Sequence, residues 1–236
     1  MWPSQYASFL SFLEETLEGH HLIDSTAFTL AFPTYDLMPF DYLDFAEAEL
    51  EKNTSAARIN CIAHLKRAIE CELDTFLQVF GLGSVAKNLP QKLQFASDAG
   101  LFSSRSIGKL NKARNKLEHE YAVPESLELE SYFDIATGFV HSVEGSLYLL
   151  SQHNEMHWGN LAELNHVFGG EFSSEKREIS FYWQSEGQNL SVVFSSATNV
   201  KQMAYGLHVY LLLCRASTLL SADYVVSKLK QIHTKS

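Results

Sequence analysis

The sequence predicts a mainly α-helical protein built around a four-helix bundle, with a helical extension before the bundle and a helical region carrying a small β-hairpin after it. Apolar residues recur at steps of three and four over most of the chain, as on the buried face of a helix. Aromatic and β-branched residues typical of strands gather in one short stretch. We therefore expect three regions, 1–53, 54–152 and 153–236.

The bundle region is expected to hold four helices in succession. The strongest helical spacing covers 54–80, and a weaker helix is expected over 90–99. A third helix is expected over 104–121, because Pro124 prevents further continuation. A long fourth helix should then cover 125–150.

The flanking regions are expected to be helical except for the hairpin. A helix is predicted over 3–18 in the extension, and a short second helix after Pro39. The hairpin is predicted from 178–185 and 190–195, which are joined by a turn-forming Glu-Gly-Gln-Asn sequence. Two helices should end the chain, over 200–220 and 222–233.

Composition and motif content exclude several functional classes. No apolar run reaches the roughly 18 residues that a membrane span needs, and the N-terminus lacks a secretory signal pattern, so we expect a cytoplasmic protein without membrane contact. Three cysteines without a Cys-x-x-Cys pair indicate buried thiols rather than disulfides or a zinc site: Cys61, Cys71 and Cys214. His153 and His157 could share one helix face, but no third zinc ligand is evident. No metal or cofactor is expected.

One short segment has a charge opposite to that of the whole chain. The formal net charge is −10, yet five basic residues and no acidic residue lie between Arg105 and Lys116, which leaves −10 − 5 = −15 for the rest. These residues are Arg105, Lys109, Lys112, Arg114 and Lys116. Such a segment either attracts a phosphate chain or is a solvated helix face.

The same segment carries candidate catalytic residues. Arg114, Asn115 and His119 supply phosphate-directed donors and one group that exchanges protons near neutral pH. On one straight helix, Arg114 and His119 lie about 140° apart and about 7.5 Å along the axis. A single helix therefore does not aim both side chains at one atom, whereas a second copy of the helix, supplied by a dimer, would.

Arg114-Asn115 followed by His119 resembles the R-x4-H signature of the HEPN superfamily, in particular bacterial toxin and defence members. The resemblance covers the four-helix region and includes the approach to the motif at 92–95 and 100–103. It implies a HEPN-like bundle that dimerises so that two motif helices meet. It also implies a metal-independent endoribonuclease that leaves a 2′,3′-cyclic phosphate.

The resemblance also implies a role for each residue of the motif. His119 would act as general base or acid, Arg114 would bind the scissile phosphate, and Asn115 would orient the phosphate or the imidazole. The remaining basic residues would hold the RNA strand: Arg105, Lys109, Lys112 and Lys116.

Tyr121 extends the motif to an R-x4-H-x-Y pattern that resembles HEPN toxins paired with nucleotidyltransferase antitoxins. In those systems the tyrosine can receive nucleotides that silence the nuclease, which would make Tyr121 a modification site and an antitoxin a partner. The helical spacing, however, places Tyr121 on the core face.

A noncatalytic interpretation stays open beside the nuclease. Arg114 and Glu118 could form an ordinary i,i+4 ion pair, and a His near a helix C-terminus gains a favourable dipole interaction without any catalysis. The chain would then be a scaffold that binds a nucleotide, RNA or protein partner.

Overall fold

The computed structural model describes residues 2–27, 31–52, 54–84, 86–103, 105, 108–109, 112, 115–116, 123, 125–160, 165–197, 199–216 and 218–235. The helices in this part of the chain are α1 (Tyr6–Thr16), α2 (Pro39–Leu50), α3 (Ser55–Val79), α4 (Leu89–Asp98), α5 (Ser126–Gln152), α6 (Val200–Ala216) and α7 (Ala222–Lys235). The strands are β1 (His21–Thr26), β2 (Glu155–Asn160), β3 (Asn165–Ser173), β4 (Glu178–Ser185) and β5 (Gln188–Ser195). No helix among these residues is long and apolar enough to cross a membrane.

The expected mainly α fold, with a four-helix bundle and one small hairpin, is wrong. The structure is a mixed α/β fold, in which the helices accompany a five-stranded antiparallel sheet with strand order β1-β2-β3-β4-β5. The hairpin predicted from the sequence is β4 and β5, joined through Glu186 and Gly187, both with positive φ. The other three strands were missed.

The missed strands lack the pattern that identified the hairpin. Strand β1 has six residues and none of them is fully buried, and β3 contains Gly169 and Gly170, which weaken a strand signal. Strand β1 also pairs with β2, from which it is separated by more than half of the chain. Nothing local in the sequence reveals such a pairing.

Most of the predicted helix over 104–121 lies outside the described residues. The other seven predicted helices are confirmed, and local chemistry explains where two of them begin. The Ala57 backbone N–H donates to Thr54 Oγ1 at the start of α3, at 3.1 Å. The Gln91 backbone N–H donates to Asn88 Oδ1 at the start of α4, also at 3.1 Å. Both side chains satisfy amides that the first helical turn leaves without a partner.

Helices cover one face of the sheet and bury its aromatic residues. From α1, the Phe9 ring lies 5.0 Å from that of Phe181 and 5.1 Å from that of Trp183. From α6, Gly206 lies directly against Phe194, a fully buried residue of β5. Helices α3 and α5 pack together beside this layer, and their side chains belong to the same hydrophobic core. The division into three regions stays a prediction.

Candidate functional site

The basic segment lies between α4 and α5, and the residues just before it are held against the middle of α5. The Phe102 ring meets the Phe139 ring at 5.1 Å, edge to face. The Ser142 hydroxyl donates to the Leu101 carbonyl at 2.7 Å. These two contacts position the chain directly before the basic segment on the surface of α5.

Every basic residue of the segment that the structure describes is exposed. Arg105, Lys109, Lys112 and Lys116 have exposed side chains, and so does Asn115. Lys116 Nζ lies 3.6 Å from Glu128 Oε1, with both side chains open to solvent. Such an exposed pair stabilises the fold by less than about 1 kcal/mol and leaves the lysine free to exchange partners.

The end of the segment combines charge with apolar surface. Burial and the nearby Glu128 carboxylate raise the pKa of Tyr132, while Lys116 lowers it, so these three side chains lie near one another. Val123 is 40% exposed and Leu127 is 75% exposed at the same end. The described side chains at this end therefore include a cation, a half-buried ring and exposed apolar residues.

Of the four motif residues, Asn115 is described, whereas the other three lie outside the described residues. They are Arg114, His119 and Tyr121. Their roles stay predictions, as does the shared site of two copies.

A buried carboxyl group on α3 was missed by the sequence analysis. Glu72 is 4% exposed, and its Oε1 has no hydrogen-bond partner. Burial, followed by the negative charge of Glu144, raises the pKa of Glu72 to about 7. The signal was available, because Glu72 follows Ile69 by three residues and precedes Phe76 by four, and therefore belongs to the buried face of the helix.

A second polar cluster lies on the sheet face opposite α1 and α6. His157 Nε2 lies 3.2 Å from Glu155 Oε1, and His157 Nδ1 lies 3.1 Å from Tyr182 Oη. This geometry fits the tautomer that carries its proton on Nε2 and accepts from the tyrosine hydroxyl. Burial, then Glu155 and Glu171, raises the pKa of Tyr182 to about 12, so the hydroxyl stays protonated and donates. The polar atoms satisfy one another, which is the arrangement of a structural network.

The structure separates the two histidines considered for zinc. Helix α5 ends at Gln152, so His153 lies just beyond its end and His157 lies within β2. Their expected common helix face does not exist. Among the described residues, no group of three or more metal-ligating side chains has the geometry to hold an ion.

The cysteines are free thiols in two environments. Cys61 and Cys214 are buried, as expected, whereas Cys71 is only partly buried, which corrects that expectation. Burial raises the pKa of Cys61 and of Cys71 to about 11. Since a thiolate is the reactive form, neither thiol is activated as a nucleophile.

No protein-family model matches this chain, and comparisons with curated proteins and with solved structures find no match either.

Proposed function

We propose that this protein is a metal-independent endoribonuclease of HEPN type with a toxin or defence role in the cytoplasm. Two copies would form a shared site from Arg114, Asn115 and His119. The proposal depends chiefly on one observation: every described cation of the basic segment is exposed, in a chain whose remaining charge is strongly negative. An RNA strand would find its positive field at this segment.

The proposed chemistry is the one that the resemblance to the HEPN superfamily implies. The ribose 2′-oxygen attacks the adjacent phosphorus, the bond from phosphorus to the 5′-oxygen breaks, and a 2′,3′-cyclic phosphate forms. His119 takes the proton from the 2′-hydroxyl while water protonates the leaving 5′-oxygen, or His119 protonates that oxygen while water takes the proton of the 2′-hydroxyl. Arg114 neutralises the charge that develops on the phosphate, and Asn115 orients the phosphate or the imidazole.

RNA cleavage in EDTA is the direct test. We expect the purified protein to cut single-stranded RNA with EDTA present, and His119→Ala to reduce the rate by at least 100-fold, since general acid–base catalysis contributes on this scale. The matched control is His141→Ala, which changes an exposed histidine of α5. Equal residual cutting by wild type and His119→Ala would identify a contaminating nuclease and refute the catalytic proposal.

The proposed RNA-binding role of the basic segment has its own test. Replacing Arg105, Lys109, Lys112 and Lys116 by serine should weaken RNA binding and make the salt dependence shallower. Each phosphate contact contributes about 0.7 to the slope of log K against log salt on single strands, so the loss of four contacts lowers the slope by about 3. Replacing Lys87 and Lys176, both exposed and outside the segment, is the control.

A toxin paired with an antitoxin would use Tyr121. We expect a nucleotidyltransferase antitoxin to add nucleotide mass to wild type but not to Tyr121→Phe, and the modified protein to lose RNA cleavage. Intact-mass spectrometry after incubation with ATP and the transferase measures the addition.

A noncatalytic scaffold that holds a nucleotide, RNA or protein partner is the second candidate, favoured by the chain's net charge of −10 and by the large C-terminal region that the resemblance leaves unexplained. In that case RNA or nucleotide would bind through the same exposed cations, and wild type would leave the RNA intact.

A further inference from the structure

Helix α4 ends in a Schellman motif directly before the basic segment. The Leu101 backbone N–H donates to the Ala96 carbonyl at 3.0 Å, and the Gly100 backbone N–H donates to the Ser97 carbonyl at 3.1 Å. Gly100 has a φ of +70, the left-handed conformation that this motif requires. No backbone amide of the described residues donates to the carbonyl of Asp98, the last residue of the helix, so this acceptor needs a side chain or water.

A histidine of α6 supplies the donor for this carbonyl. His208 Nδ1 lies 3.2 Å from the Asp98 carbonyl oxygen. Because a carbonyl oxygen only accepts, Nδ1 carries the proton and donates. The imidazole also covers the turn, since a Cβ at Gly100 would lie 2.6 Å from His208 Nε2. One side chain of α6 therefore contacts both the end of α4 and the turn that follows it.

The next two residues are held by α5, and the basic segment follows at once. Leu101 is buried and its carbonyl accepts from the Ser142 hydroxyl, while the Phe102 ring packs against that of Phe139. Arg105, the first cation of the segment, follows Phe102 by three residues and so lies within about 11 Å of it along the chain. The contacts with α5 and α6 together determine where the row of cations begins.

We propose that His208 is a positioning residue for the basic segment: by joining the end of α4 to α6, it fixes the point from which the RNA-binding cations start. The contact between His208 and the end of α4 is called the α4–α6 junction below. The RNA part of this inference rests on the proposed function, whereas the junction itself does not.

Acid should weaken the α4–α6 junction. Burial lowers the pKa of His208; the hydrogen bond to the Asp98 carbonyl raises it, Arg215 of α6 lowers it and the Asp98 carboxylate raises it, with a downward net effect. The imidazole therefore binds a proton more readily when the junction is open than when it is closed. The closed junction consequently loses stability as the pH falls below about 6.5, the ordinary value for histidine.

Hydrogen exchange of the Gly100 and Leu101 backbone amides, measured by NMR, tests the junction without RNA. His208→Leu removes the donor, and exchange at pH 7 should become about 10-fold faster, the effect of losing one buried hydrogen bond. His208→Asn places its amide nitrogen where Nδ1 lies, so exchange should stay within about 2-fold of wild type. Between pH 7 and pH 5 the protection of both amides should fall in wild type and stay constant in His208→Asn, because asparagine does not titrate.

The matched control is Tyr210→Phe, which removes another hydrogen bond from a side chain of α6 to a backbone carbonyl, that of His153. This variant should change neither the exchange of the two amides nor its pH dependence. If His208→Leu does not fold, His208→Gln replaces it, because its amide nitrogen lies at the position of Nε2 and misses the Asp98 carbonyl.

RNA binding tests the consequence for the cations. With a fluorescent single-stranded RNA at low salt, His208→Leu should bind about 3-fold or more weakly, because cations that are no longer held in place lose pre-organisation. His208→Asn should bind like wild type.

Three results have distinct meanings. Equal amide exchange in wild type and His208→Leu overturns the junction and the proposal with it. Faster exchange with unchanged RNA affinity overturns the positioning role. If the exchange results hold but wild type binds no RNA, the proposed function and the RNA part of this inference fail together, and the junction stands.

Discussion

The Tyr182 hydroxyl lies 3.1 Å from His157 Nδ1, and the Tyr182 ring occupies the space directly above Gly169. The three residues stand side by side in the register of β2, β3 and β4. A Cβ at Gly169 would lie 2.4 Å from Tyr182 Cζ, so this glycine is what allows the hydrogen bond to form.

The first prediction concerns this dependence. Gly169→Ala and Tyr182→Phe should each lower the free energy of unfolding by about 1 kcal/mol, because each breaks the bond to His157. Their double variant should lose at least about 0.5 kcal/mol less than the sum, since the bond can be lost only once. Urea unfolding at pH 7 measures all three. As a control, the change in unfolding free energy of Tyr148→Phe, at a 68% exposed position, should be additive with that of Gly169→Ala. Full additivity of the first pair would contradict the prediction.

The second prediction compares two helical glycines. A Cβ at Gly206 would lie 2.6 Å from Phe194 Cβ, so Gly206→Ala should push α6 away from β5 and cost about 2 kcal/mol. Gly145 on α5 has open space around it, and Gly145→Ala should stabilise the fold by about 0.5 kcal/mol or more. Thermal unfolding gives opposite shifts in Tm. The same sign for both would show that the α6–β5 contact is loose.

The third prediction is a pH dependence set by Glu72. Its pKa is about 7 in the folded protein against the ordinary 4.5, so the folded state keeps a proton that the unfolded state loses first. Stability therefore falls as the pH rises from about 4.5 to about 7 and levels off above. Glu72→Gln removes this fall. It should raise the free energy of unfolding by about 3 kcal/mol at pH 8 and by less than about 1 kcal/mol at pH 5.

Urea titrations of wild type and Glu72→Gln at the two pH values measure this difference. Glu175→Gln, at an exposed position in the β3–β4 turn, is the control and should change neither value. An equal gain at both pH values for Glu72→Gln would mean that packing, and not ionisation, is responsible.

The fourth prediction concerns a buried hydroxyl where helix α5 gives way to the sheet. Tyr210 Oη lies 2.7 Å from the His153 carbonyl and 2.9 Å from the Asn154 carbonyl, and the residue is fully buried. Tyr210→Phe removes the donor to the His153 carbonyl, whereas the Asn154 carbonyl still accepts from the Phe172 backbone N–H, and the change should cost about 1 to 2 kcal/mol. The exposed Tyr148→Phe should cost almost nothing. Equilibrium unfolding distinguishes them, and equal costs would refute a role for this hydroxyl.

How much of this fold the sequence predicts depends on how far apart the contacting residues are along the chain. The helices over 55–79 and 126–152 carry long apolar stripes, and the β4–β5 hairpin pairs neighbours across two residues, so local patterns identify them. The pairing of His21–Thr26 with Glu155–Asn160 has no local pattern at all. The fold class was wrong for this reason, although most helices were placed correctly.

The candidate site likewise has features that local sequence patterns indicate and features that they do not. Residue types and spacing indicated the cations of the basic segment; the described ones are exposed, and their role stays a prediction. Glu72 was missed because a glutamate within a helix is ordinarily assigned to the solvent face, and only packing against α5 shows that it is buried. The Glu155–His157–Tyr182 network was missed because it joins two strands that no local signal brings together.

The sheet takes its first strand from before the long helices and the others from after them, and α1 packs near α7, where Lys230 Nζ meets Glu14 Oε1. During translation, β1 therefore cannot pair until β2 has been synthesised, and α1 cannot contact α7 until residues 222–235 have been synthesised. Until then their apolar residues remain available to chaperones and to neighbouring nascent chains. Expression at low temperature or with added chaperones should accordingly improve the folded yield more than stabilising any single helix.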